Sequence, residues 1–308
     1  MSEPVNSVAA DGRLARHEAR GLRVALSPYL FRGMLVGMAM VAVALHRVTG
    51  SRTLAWRFAK ARARTLARLL GLRVRLDGLE HLAGGGPFIF TPNHQSHLDI
   101  LVLLGYLPGE TRFAAKQELW RHAVMAAVLD TLCMVPIDRD HPERAAARLR
   151  AEGGGPGSLV VFPEGTRSRT GQLGEFKKGA FVLAIELGLP VVPVVCRGTR
   201  RLMPRGSRLT VLPGEVEVVI EAPIPTTGLT YEDRDALTKP MAFVVLRDGQ
   251  APSPELAKEL QQFVREHLAE YKRPRWVEFL AELPKTATGK IQRFKLRDMA
   301  SSHNIPRE

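Results

Sequence analysis

The spacing of apolar and polar positions changes along the chain, and each change predicts a different architecture. Residues 1–25 are polar and lack the apolar core of a signal peptide, which predicts a disordered lead. Pro28 to Leu45 is apolar, with no charge from Gly33 to Leu45, yet this falls short of the roughly 20 residues that span a bilayer core. Ser51 to Gly71 has helical spacing: Leu54, Phe58, Ala61, Thr65 and Leu69 share one face, and Lys60 and several arginines occupy others. An apolar helix followed by a cationic amphipathic one suits the headgroup layer, so residues 26–71 are expected to form a membrane-surface helical hairpin. A soluble hairpin packed on the core is the competing reading.

From Leu72 the period becomes two. Strands are predicted at Leu72–Leu76, Phe88–Phe90, Thr111–Lys116, Cys133–Ile137, Ser158–Phe162, Val191–Cys196 and Val216–Ile220. Helices are predicted from Ser96, over Glu118–Leu132, Arg144–Glu152 and Phe181–Leu187. Alternation of this kind predicts an α/β domain over residues 72–226, a mostly parallel sheet flanked by helices, with ligands beyond the carboxyl ends of the strands. A linker at 227–236 leads to a small α+β module at 237–300: strand Ala242–Leu246, helix Pro254–Glu270, strand Trp276–Phe279. Residues 301–308 form a tail.

Composition narrows the partners. The 308 residues are 45% hydrophobic, enough for a well-buried core, and their net charge of +13 points to a polyanion. An anionic membrane surface, a phosphorylated substrate and nucleic acid all meet that charge, but no nucleic-acid fold signature accompanies the basic run. Two cysteines, Cys133 and Cys196, sit in apolar settings, which argues against a disulfide framework. No Cys/His cluster has zinc spacing, so no metal is expected.

The candidate chemistry centres on Thr91 to Asp99, TPNHQSHLD. On one continuous helix His94 and Asp99 would lie roughly 140° apart, so His94 must precede a helix that opens at Ser96, with Asp99 at the third position as in a capping box. The Asp99 carboxylate then folds back to the imidazole, fixes its tautomer and favours the ring's charged form, while the other nitrogen acts as a general base. The ordinary reading is that Asp99 only caps a helix and His94 is a turn histidine. Ser96 is a poor nucleophile, because capping occupies its oxygen. Other strand ends add Lys116, Arg139 and the run Glu164-Gly165-Thr166-Arg167. Lys116, Arg139 and Arg167 suit a phosphate. Glu164 suits a substrate hydroxyl or an arginine, and Gly165 lets backbone N–H groups approach an oxyanion. Lys177 and Lys178 add positive charge nearby.

The blocks NHQSHLD, VPIDR, FPEGTRS and LPVVPV, in that order between Asn93 and Val194, resemble those of the glycerolipid acyltransferase family, which includes 1-acylglycerol-3-phosphate acyltransferases. The likeness extends over roughly Leu72 to Ile224. It implies transfer of a fatty acyl group from acyl-CoA or an acyl carrier protein to a lysophospholipid hydroxyl, by default that of 1-acyl-sn-glycerol-3-phosphate, in phospholipid biosynthesis. Carried onto this chain, it implies His94 as base, Asp99 as its partner, Arg139 and Glu164-Gly165-Thr166-Arg167 for the acceptor, and Val192-Pro193 on the acyl side. It implies no cofactor beyond the donor substrate and a peripheral or monotopic place on the cytoplasmic face of the membrane.

Leu237 to Met299 resembles the end of adenylate-forming acyl- and aryl-CoA ligases, and Pro284-Lys285-Thr286-Ala287-Thr288-Gly289-Lys290 matches the loop whose lysine, here Lys290, reaches their adenylation site. No Ser/Thr/Gly-rich phosphate loop precedes it in this sequence, so the module reads as a remnant or a docking piece. Two other classes remain: an accessory part of an acyl-CoA or acyl-carrier-protein synthetase system, and a non-catalytic lipid-binding protein.

Overall fold

The computed structural model describes residues 21–137, 147, 157–231, 234, 241–247, 249–267, 274, 276–286, 289, 291, 292, 295, 296 and 299. The apolar N-terminal run forms one long helix, α1 (Leu22–Thr49), which extends past both ends of the charge-free segment and carries Pro28 inside it. Proline has no N–H for the Val24 carbonyl one turn back, and Ser27 Oγ donates to that carbonyl instead, at 2.7 Å. The same oxygen accepts from the Val211 N–H at 2.9 Å and ties the helix to the main domain. Contrary to the expectation of a run too short to span, Val24–Thr49 is long and apolar enough to cross a membrane by length and composition.

Gly50 ends α1 in the left-handed conformation, and Ser51 opens α2 (Arg52–Leu69) by accepting from the Leu54 N–H at 3.2 Å. The face that α2 turns inward differs from the predicted one. Ala55, Ala59, Ala63, Leu66 and Ala67 are buried, whereas Leu54 is 43% and Leu69 45% exposed. Small side chains bring the helix axes closer than leucines would, so the alanine stripe outcompetes the bulkier one. Two of the cations predicted for lipid also have internal partners. Lys60 donates to the Leu107 carbonyl and, at 3.0 Å, to that of Gly109, and Arg64 donates to the Gly105 carbonyl at 2.5 Å. They satisfy carbonyls at the end of α3 (Leu98–Tyr106), where the helix dipole favours positive charge.

The seven strands β1 (Leu72–Asp77), β2 (Ile89–Pro92), β3 (Thr111–Lys116), β4 (Val135–Ile137), β5 (Ser158–Val160), β6 (Val191–Arg197) and β7 (Gly214–Ile220) form one sheet in the order β1-β7-β6-β2-β5-β3-β4. Neighbours run parallel except β6 and β7, which are antiparallel, so β1 and β7 oppose the other five. On one side of the sheet Phe90, Val192 and Val194 pack with Leu66 of α2 and Val102 of α3. On the other, Ile89, Leu159 and Val191 pack with Phe181 and Leu183.

The helix predicted for Glu118–Leu132 is broken. A 3-10 turn, Gln117–Arg121, is followed by α4 (Ala123–Thr131), with His122 extended between them. Trp120 Nε1 donates to Asp130 at 2.8 Å and folds the turn back on α4. Arg139 and, but for residue 147, the helix predicted over Arg144–Glu152 lie outside the described residues. Helices α5 (Gly179–Leu187) and α6 (Thr199–Leu202) flank β6 in the chain. In the C-terminal module β8 (Met241–Val244) pairs in parallel with β9 (Trp276–Phe279), joined through α7 (Pro254–His267), which matches the predicted strand, helix and strand. Lys290 lies outside the described residues.

Candidate active site

The turn between β2 and α3, residues 93–97, is held from three directions. Asn93 grips β6, its Nδ2 donating to the Cys196 carbonyl at 3.0 Å and its Oδ1 accepting from the Cys196 N–H at 2.7 Å. Ser96 Oγ donates to the Met203 carbonyl at 2.9 Å and accepts from the Leu98 N–H at 3.3 Å, while the regular helix opens two residues later than expected, with His97 and not Ser96 at its N-cap. The His94 carbonyl accepts from the Ser168 N–H at 2.8 Å.

Asp99 is wholly buried within α3. Its Oδ2 accepts from the Gln95 N–H at 2.7 Å, the Ser96 N–H at 2.8 Å and His94 Nδ1 at 2.9 Å. A carboxylate only accepts, so Nδ1 carries the proton and Nε2 is left with its lone pair. Asp99 Oδ1 is buried without a hydrogen-bond partner. Positive charge arriving on the imidazole therefore supplies compensation that this carboxylate otherwise lacks. The ring itself is fixed by stacking on Phe162, centroids 4.0 Å apart at 23°.

The residues after β5 support this turn more than they reach away from it. Glu164 is buried; its Oε1 accepts from the His94 N–H at 2.8 Å and its Oε2 from the Gly174 N–H at 2.8 Å. The carboxylate expected to meet a substrate hydroxyl thus clamps the histidine's own backbone to the following loop. Gly165 has φ +66° and its N–H donates to the Phe162 carbonyl at 3.0 Å, so that amide closes a turn instead of facing an oxyanion. A Cβ at this position would stand 3.3 Å from Lys177 Cδ, and glycine is what lets the lysine lie across the turn. Lys116 pairs with Glu118 at 2.7 Å, both half exposed, and this hydrogen bond holds the Glu118 carboxyl below its ordinary range.

Two compartments share Lys177, and His94 lines the first of them. An apolar cavity of about 530 Å³ runs from the imidazole past Phe113, Met134, Leu129 and Ile137. A groove of about 750 Å³ is lined by Thr166, Arg167, Arg169 and Thr170 together with Glu164 and Glu175, and Lys177 borders both. Burial, and after it the Arg167 guanidinium, lower the proton affinity of His97, which places that cation within electrostatic reach of the turn. Cys196 is no nucleophile: burial pushes its thiol well above the ordinary range.

The sequence gives no sign that His97, Phe162 or the paired hydrogen bonds from Asn93 to β6 belong to this site, apart from the place of Asn93 directly after the strand, where a side-chain amide can continue a backbone ladder.

A base on the wall of an apolar cavity, with Lys177 shared between that cavity and a groove holding Arg167 and Arg169, suits the movement of an apolar acyl group onto a charged, hydroxyl-bearing acceptor. Residues 73–197 match the family model Acyltransferase, and residues 230–290 match the AMP-binding enzyme C-terminal domain. The chain is 38% identical over 156 residues to the chloroplastic 1-acyl-sn-glycerol-3-phosphate acyltransferase BAT2 of Brassica napus, covering 48% of this chain and 44% of that one. It is 39% identical over 170 residues to the benzoate–CoA ligase of Thauera aromatica, 52% of this chain and 31% of that one. The chain thus spans less than half the length of either curated relative. The crystal structure of PlsC, the 1-acyl-sn-glycerophosphate (LPA) acyltransferase of Thermotoga maritima, aligns at 27% identity with a TM-score of 0.56, over 72% of this chain and 94% of that one.

Proposed function

We propose that the protein is an O-acyltransferase that moves a fatty acyl group from the thioester of coenzyme A or an acyl carrier protein to the free hydroxyl of a lysophospholipid, with 1-acyl-sn-glycerol-3-phosphate as the acceptor. The observation that carries this reading is the 2.9 Å contact with buried Asp99 of His94 Nδ1, on a ring that lines the apolar cavity. His94 Nε2 takes the acceptor hydroxyl's proton as its oxygen attacks the thioester carbonyl. The tetrahedral intermediate collapses, the C–S bond breaks, and the imidazolium returns its proton to the departing thiolate. Asp99 stabilises the ring's charge between the two transfers. The acyl chain occupies the apolar cavity, and Arg167, with Thr166 and Arg139, binds the acceptor phosphate. Lys177, which borders both compartments, brings positive charge to the carbonyl oxygen as its charge develops. The exposed apolar residues of α1 and the arginines of α2 hold the chain on the anionic cytoplasmic face of a membrane, where the acceptor resides.

Incubation of the purified chain with acyl-CoA and a panel of lysolipids, read by mass spectrometry, tests this. The expected product is phosphatidate, lost in His94→Ala. Diacyl product made equally well by His94→Ala would overturn the reading.

A further inference from the structure

Helix α4 leaves exposed what a helix of a soluble domain buries. Its sequence, AVMAAVLDT, has no charge before Asp130, and Thr131 is its one buried residue. Val124 is 68% exposed and Met125 43%. A stripe of this kind ordinarily faces a core. The inner side of the same segment does have an occupation: Leu119 and Leu129 line the apolar cavity beside Met134. Val128 packs with Met38 and Ala42 of α1 and Ala55 and Ala59 of α2. α4 is therefore a wall one helix thick between the acyl cavity and the outside.

We infer that this outer face is inserted in the acyl region of an anionic bilayer, and that α4 is the lateral wall past which an acyl chain moves between membrane and cavity. Continuity favours lipid as the occupant. α1, on which α4 packs, is exposed at Val36, Met40, Val41 and Val48, so the apolar surface does not stop at α4. Charge favours it too. Arg121 and His122 are exposed at the start of α4, and Arg52, Arg57 and Arg62 are exposed on α2, a helix without an acidic residue. Trp120, with its ring nitrogen held by Asp130, is the kind of amphipathic side chain that settles at headgroup level. A second copy of this chain would bring like charges face to face, because a two-fold contact repeats the same patch.

The movement of the acyl chain rests on the acyltransferase reading, but the insertion does not. The test is sedimentation of the full chain with vesicles of equal parts phosphatidylcholine and phosphatidylglycerol, comparing it with Val124→Asp/Met125→Asp. The doubly substituted chain is expected to bind at least about tenfold more weakly, since two apolar side chains no longer leave water. Its melting temperature is unchanged, because both side chains are exposed, and its acyl transfer in detergent micelles stays within about twofold of the parent. Equal vesicle binding by the two chains, or none by the parent, overturns the inference. So does a loss of self-association with vesicle binding intact, which would assign the face to a second copy. Absence of acyl transfer in the parent counts against the catalytic reading, whereas sedimentation alone decides insertion.

Discussion

Asp99→Asn separates the two tasks of the buried carboxylate. Asp99 Oδ2 anchors the Gln95 and Ser96 amides and also faces His94 Nδ1. An asparagine keeps an acceptor for the two amides, so the turn survives, but it removes the negative charge beside the imidazolium. With about 4 Å between charge centres and an effective dielectric constant near 20, that interaction is worth about 4 kcal/mol. At 1.36 kcal/mol for each factor of ten, kcat should fall about a thousandfold, with the acceptor KM little changed. Initial rates of CoA release at saturating lysophosphatidate, beside circular dichroism melts of both proteins, measure this. A folded Asp99→Asn chain with kcat within about tenfold of the parent would refute the role given to the charge.

Glu164→Gln leaves one of the His94 and Gly174 amides facing an NH₂ group, at a cost of about 1–3 kcal/mol; a melting temperature unchanged from the parent would contradict the clamp. Arg167→Ala should raise the lysophosphatidate KM about tenfold or more with less effect on the acyl-CoA KM, and steady-state kinetics with each substrate varied in turn distinguish the two. Burial, and secondarily Arg64, lower the Lys60 pKa from its ordinary 10.5 to about 8 in the folded chain. The folded protein therefore releases this proton first, and stability rises with pH between those values. Solvent at the half-exposed ammonium keeps the rise small. Lys60→Met should abolish it, as read from the difference between denaturation midpoints of the two proteins across that window.

Local information was sufficient for the pair at the turn after β2. His94 and Asp99 are five residues apart, and the spacing alone required the histidine to precede the helix. Strands Thr111–Lys116 and Trp276–Phe279 lie where their composition placed them. Long-range pairing was not readable in this way. Val216 to Ile220 alternates like any half-buried strand, and nothing in that period says that it inserts between β1 and β6 and runs against the latter. The inward face of α2 was misjudged because leucine and phenylalanine were weighted above alanine, whereas tight helix packing selects the small stripe. The uses of Glu164 and the Gly165 amide were also hidden: a loop carboxylate and a glycine look the same in sequence whether they meet a ligand or their own backbone. Lys60 and Arg64 read as lipid-facing cations because the carbonyls they cap are more than 40 residues away.

The reversed pair at the edge of the sheet bears on where the N-terminal helices stand relative to His94. Leu72 is in register with Gly214, which lies beyond the end of β6, so β1 begins at the rim where β2 and β6 finish and where His94 is displayed. The two N-terminal helices thereby join the domain at the rim that displays His94. Had β1 pointed the other way, its six residues, at about 3.3 Å each, would have moved that attachment roughly 20 Å toward the floor of the domain. The direction of this edge strand thus sets the N-terminal helices and the His94 turn at the same end of the sheet.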